Sequence, residues 1–77
     1  MTEFEFLRAL EEALEIDEGQ IAGTESLDGA GWWDSIASLI FLSLADQKLH
    51  TTLSAAQLRR CETVRDLLDL VKDRLTP

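Results

Sequence analysis

A single cysteine, Cys61, has no partner for a disulfide within the chain, which removes the case for a secreted fold held by cross-links. With one histidine, His50, no set of Cys, His and carboxylate side chains has metal-ligand spacing. No glycine-rich phosphate loop follows a strand, and no stretch alternates with the period of a strand. The longest nearly apolar run, Leu39 to Ala45, falls far short of the roughly 20 residues a membrane helix needs, so no membrane insertion is expected. Basic residues number seven against fifteen acidic ones, for a net charge of −8 and an isoelectric point near 4.3. Such a chain repels phosphate backbones, so nucleic acid and anionic membranes are poor partners. Proline occurs once and glycine four times, without a low-complexity tract. The segment Met1 to Arg8 is acidic and mixed, unlike a signal peptide, which points to the cytoplasm. The 77 residues are expected to form one small domain, 1–77, with a simple core.

What is present is helical periodicity and a divided charge. From Met1 to Asp34 ten acidic residues face one basic residue, Arg8; from Ser35 to Pro77 five acidic residues face six basic ones. Thr2 and Glu5 form a capping box ahead of Phe6, Leu7, Leu10, Ala13 and Leu14, predicting a helix from about Glu3 to about Glu15 with Glu11 and Glu12 on its wet side. Asp17 to Gly31 carries the four glycines and reads as a long loop that Ile21, Leu27 and the tryptophans pin down. Asp34 is a good N-cap for a second helix, with Ile36, Leu39, Leu42, Ala45 and Leu49 as its buried stripe. Ser54 with Gln57 opens a short third segment through Leu58 and Cys61, the latter read as a small core residue. Thr63 caps a last helix that turns Val64, Leu67, Leu68, Val71 and Leu75 inward. The expected fold is all-α: a small antiparallel four-helix bundle, three long helices and one short, with a long loop between the first two.

Asp34-Ser35 has a plain reading as an N-cap and first helical residue. It is not a catalytic pair, because a nucleophilic serine needs a base within hydrogen-bond reach. His50 lies fifteen residues along the same helix, about 22 Å away at the helical rise. No catalytic residue is assigned.

Gly31-Trp32 followed by Asp34-Ser35-Ile36, at the start of a helix behind a long loop, resembles the attachment motif of acyl carrier proteins, where the usual tripeptide is Asp-Ser-Leu. Apolar positions Ile36, Leu39, Leu42, Leu49, Leu53, Val64 and Leu68 fall where that family places its core, and length, helix order and acidity agree. The resemblance implies a carrier rather than an enzyme. A phosphopantetheinyl transferase would move 4′-phosphopantetheine from coenzyme A onto Ser35, and acyl groups would ride on the arm as thioesters. Asp34 would serve both the motif and the helix cap. Acyl-activating, acyltransferase or ketosynthase-type enzymes are the implied partners, and a monomer is expected.

Fatty-acid carriers typically line their second helix with carboxylates. Here that helix has only Asp46, balanced by Lys48, and Ala37 and Ile40 stand where the family often has acids. Ala37, Ile40 and Leu44 are therefore expected to form a partly exposed apolar strip, with Ile36, Trp32 and Trp33 completing the partner surface. One tryptophan is expected to anchor the loop in the core while the other points elsewhere. Arg59 and Arg60 read as a solvated face, or as a contact for the prosthetic phosphate or a partner's acid. Ala45 or Cys61 could mark room for an acyl chain. A specialised lipid, polyketide or surface-glycolipid pathway suits the altered helix. Two other readings stand beside this one: an aminoacyl or peptidyl carrier, usually marked by Gly-Gly where Gly31-Trp32-Trp33 stands here, and a helical interaction module that is never modified.

Overall fold

The computed structural model describes residues 1–76 and contains four α-helices, with no strand among the described residues. Helix α1 spans Glu3–Leu14. The Glu5 amide donates to Thr2 Oγ1 at 3.1 Å and the Thr2 amide to Glu5 Oε1 at 2.8 Å, so two otherwise orphaned donors are satisfied reciprocally. The helix ends on Glu15 at φ +59°, where the Ile16 amide reaches back to the Glu11 carbonyl and the Glu15 amide to the Glu12 carbonyl, both at 3.1 Å. This is the Schellman arrangement that glycine usually serves.

Helix α1 buries Phe6 and Leu10, but also Glu11, which the sequence reading left on the wet side. Ala13, expected inward, is exposed, and Leu7 and Leu14 are half-buried. Glu11 turns inward because the long loop brings it donors. Its Oε2 accepts the amides of Gly19 at 2.9 Å and Ile21 at 2.8 Å, while Arg8 lies 3.2 Å from Oε1. A buried carboxylate is tolerated only when it is paired and bonded in this way. The loop is fastened again further on, where Glu25 accepts the amides of Ala22 and Gly23 at 2.8 and 2.7 Å. Burial pushes the Glu25 carboxyl up, but these and neighbouring amides outweigh it and hold the group below the ordinary carboxylate value. Leu27 then donates to Glu62 and Val64 to Glu25 in a short antiparallel bridge, and Ile21 and Leu27 enter the core as expected.

Helix α2, Ser35–Leu49, is capped by Asp34 and ends on His50 at φ +53°. It buries Ala37, Phe41, Leu44, Ala45 and Leu49; of the expected stripe Ala45 and Leu49 are buried, Leu42 is half-buried, and Ile36 and Leu39 are exposed. The reason is geometric. Ile36 and Leu39 share a helix face with Ser43, Asp46 and Gln47, so turning that face inward would bury three polar side chains. The opposite face instead brings Phe41 edge-on to Phe6, with ring centres 5.6 Å apart. Burying a ring of this kind is worth about 1.5–3 kcal/mol, and the register follows it.

Helix α3, Ala55–Arg59, opens with the Ser54–Gln57 capping box and buries Leu58. Cys61 stops half-buried rather than entering the core; burial and the charges of Asp66 and Asp69 push its thiol pKa up. Helix α4 opens with a Thr63–Asp66 box and runs only from Val64 to Asp69, six residues where a long helix was expected. Beyond it the chain tightens to a 3-10 turn over Lys72–Arg74. The tightening lets Val71 stay buried while Thr76 swings to donate its amide to the Met1 carbonyl at 2.8 Å. That tie, with Arg65 to Glu3 at 2.6 Å, joins the last turns of the chain to α1.

Candidate attachment site at the head of α2

Asp34 is fully engaged in starting α2. Its backbone is extended, its Oδ1 accepts the Ala37 amide at 2.8 Å, and its carbonyl accepts the Ser38 amide and the Ser38 hydroxyl, each at 3.0 Å. Ser35 follows as the first helical residue, exposed to solvent. Among the described residues no protein group hydrogen-bonds its hydroxyl, and the Ser35 and Ile36 amides have no acceptor. A phosphodiester on Ser35 would therefore meet unpaired amides and the positive end of a 15-residue helix. The residues fit a phosphate-linked arm.

Trp32 and Trp33 bracket this point. Both rings are half-buried, set edge to face 5.9 Å apart, so neither is the wholly buried anchor expected of one of them. Trp33 reaches towards Phe41, 6.4 Å between ring centres, and borders an open groove between α2 and α3. That groove has a volume of about 340 Å³; Ser35, Leu39, Leu42, Leu58 and Arg59 also line it, whereas Ala45 and Cys61 do not. Trp32 borders a second groove of about 310 Å³, towards the end of α1, with Asp34, Ile36 and Ile40. Ser35 thus stands on a ridge between two apolar-walled hollows.

The predicted partner surface is only partly gathered here. Ala37 is 1% exposed and Leu44 7%, both turned into the core by the register that Phe41 sets, and Ile40 is half-buried. The strip of Ala37, Ile40 and Leu44 is therefore not an outer surface. Ile36, placed both in the buried stripe and on the partner surface, is exposed, and Leu39, assigned to the core, is exposed beside it. The polar run Ser43, Asp46, Gln47 on the same face was the available signal for Leu39. Glu11 and Arg8, which hold the loop that delivers the tryptophans, also escaped the sequence reading. Glu11 lies four residues after Leu7 and three before Leu14, inside the apolar stripe, and that spacing marks it.

His50 is exposed at the far end of α2. Among the described residues no group of His, Cys, Asp and Glu could hold a metal ion, and no helix is long and apolar enough to cross a membrane.

A comparison with protein-family models matches residues 5–71 to the model described as "Phosphopantetheine attachment site". No curated protein and no solved structure matches the chain. Carrier domains of this kind are generally non-catalytic and work with transferase and synthase partners. The matched span takes in nearly the whole fold, from α1 to the end of α4, and on that ground the chain belongs to the phosphopantetheine attachment family, whose prosthetic group is covalently bound 4′-phosphopantetheine.

Proposed function

We propose that this chain is an acyl carrier protein, one domain over residues 1–77 folded as the compact antiparallel bundle of that family, with Ser35 as the attachment residue. The observation that carries the proposal is the free, exposed Ser35 hydroxyl directly behind the capping Asp34. In the modification the Ser35 oxygen forms a bond to the phosphorus of the pantetheine phosphate in coenzyme A. The bond from that phosphorus to the bridging oxygen breaks, adenosine 3′,5′-bisphosphate leaves, and the serine proton passes to a base on the transferase. Such a transfer needs a positioned hydroxyl more than a reactive one. The arm then supplies a terminal thiol for carrying cargo as a thioester. The chain's own part is to hold the attachment point rigid on α2, while the arm raises the local concentration of cargo at a docked enzyme.

The protein is read as a cytoplasmic monomer serving acyl-activating, acyltransferase or ketosynthase-type enzymes in a specialised lipid, polyketide or related pathway. Incubation with coenzyme A and a broad-specificity phosphopantetheinyl transferase should add one phosphopantetheine to the intact mass, and Ser35→Ala should add none. An unchanged wild-type mass, or an equal gain in Ser35→Ala, would defeat the assignment. The apolar rather than carboxylate-lined face of α2 also supports an aminoacyl or peptidyl carrier. Offering the loaded protein to fatty-acid and amino-acid activating enzymes separates the two cargoes.

A further inference from the structure

The ridge that carries Ser35 has flanks of opposite charge. Among the residues lining the hollow on the α1 side, Asp34 and Glu15 bear carboxylates, and no cation offsets them. The groove between α2 and α3 is lined by no carboxylate; its charged member is Arg59. Arg59 is exposed, and among the described residues it is in no ion pair. Arg8 and Arg65, by contrast, are both matched to carboxylates of α1 or the long loop. The unpaired amides of Ser35 and Ile36 would meet a phosphate on Ser35 first, but they belong to the ridge itself and favour neither flank.

We propose that Arg59 is the counter-ion of the phosphodiester on Ser35 and holds the first segment of the arm to the α3 side of the ridge. The inference rests on Ser35 being the attachment residue. A phosphodiester is an anion at neutral pH, and a planar guanidinium matches its two free oxygens with parallel N–H donors. The exposed stem of Arg59 leaves the guanidinium free to swing along the groove wall that it shares with Ser35. On the other flank the same anion would face Asp34 and Glu15 with like charge. Both effects push the same way. An exposed pair is worth only a factor of about 1.5 to 5 in a choice between two positions, so Arg59 biases the arm without locking it. It is a positioning residue: it touches no reacting atom, and a docked enzyme can still draw the arm out.

Nuclear magnetic resonance on the loaded protein tests this, with intact mass confirming that wild type and each variant are fully modified beforehand. Arg59→Glu should shift the phosphorus resonance away from its wild-type position at about 20 mM salt, and the two should converge at about 300 mM. Arg59→Lys, which keeps the charge, should stay close to wild type. The two methyl groups next to the phosphate in the arm should give Overhauser contacts to Ala55 and Leu58 in preference to Leu14 and Ile40, which line the opposite flank. That preference should fall about twofold or more in Arg59→Glu. Melting temperatures of the unloaded forms should agree, because Arg59 is exposed and unpaired. A phosphorus resonance indifferent to Arg59→Glu overturns the pair, and contacts that do not favour the α3 flank overturn the lean. A wild-type protein that gains no mass defeats the attachment reading itself, so the two failures are distinguishable.

Discussion

Glu11 is 2% exposed and holds two loop amides and the Arg8 guanidinium. Truncation to alanine would orphan the Gly19 and Ile21 donors and strand Arg8 with only the exposed Glu18 opposite it. Removing one partner from a buried, charged set costs about 2–4 kcal/mol, more than the median surface ion pair contributes. Glu11→Ala should therefore lower the melting temperature by about 10 °C or more in a chain of this size. Glu11→Gln, which keeps one acceptor oxygen, should lose about half as much. Amide exchange should accelerate most at Gly19 and Ile21, and an Ala variant as stable as wild type would show the loop to be held by Ile21 and Leu27 alone. The consequence reaches the site, since this loop delivers Trp32 and Trp33 to the mouth of α2.

Each helix begins on a side-chain cap, and three use reciprocal boxes: Thr2–Glu5, Ser54–Gln57 and Thr63–Asp66. Those starts were legible because a cap is a local bargain between residues three apart. Helix faces were less so. Apolar residues surround the first turns of helix α2, and only Ser43, Asp46 and Gln47 further along mark the face of Ile36 and Leu39 as the wet one, so the face with Phe41 was not evident from the head of the helix. The end of α4 was not legible either, because the tie between Thr76 and Met1 spans the length of the chain. The caps have a measurable acid signature. Backbone bonds from Thr2 hold the Glu5 carboxyl below its ordinary value, and bonds from Glu62 and Thr63 do the same for Asp66. A carboxyl lowered in the folded state contributes stability that is complete above the unfolded pKa and vanishes as pH falls through the folded one. Melting temperature should thus fall as pH drops below about 4, the range of unfolded carboxyls. The double variant Glu5→Gln with Asp66→Asn should flatten that decline, and an unaltered decline would place the acid sensitivity elsewhere.

At the scale of the whole molecule, charge and attachment point are segregated. Ten of the fifteen acidic residues precede Ser35, on α1, the long loop and the cap, while α2 from Ser35 onwards holds only Asp46. α1 has no basic residue in its last turn, and Glu12, Glu15, Asp17 and Glu18 crowd the negative end of its dipole. This acidity opposes the fold by self-repulsion. That cost can be tested on one side chain. Asp17 is exposed and its carboxylate makes no hydrogen bond or ion pair among the described residues. Asp17→Lys sets a cation just past α1 and should stabilise the protein by about 0.5–1 kcal/mol at low salt, a few degrees in melting temperature. The gain should shrink as salt rises from about 20 to about 300 mM, since exposed charges are screened beyond about 10 Å. A gain that persists undiminished at high salt would place the effect in local structure rather than in the charge at the end of α1.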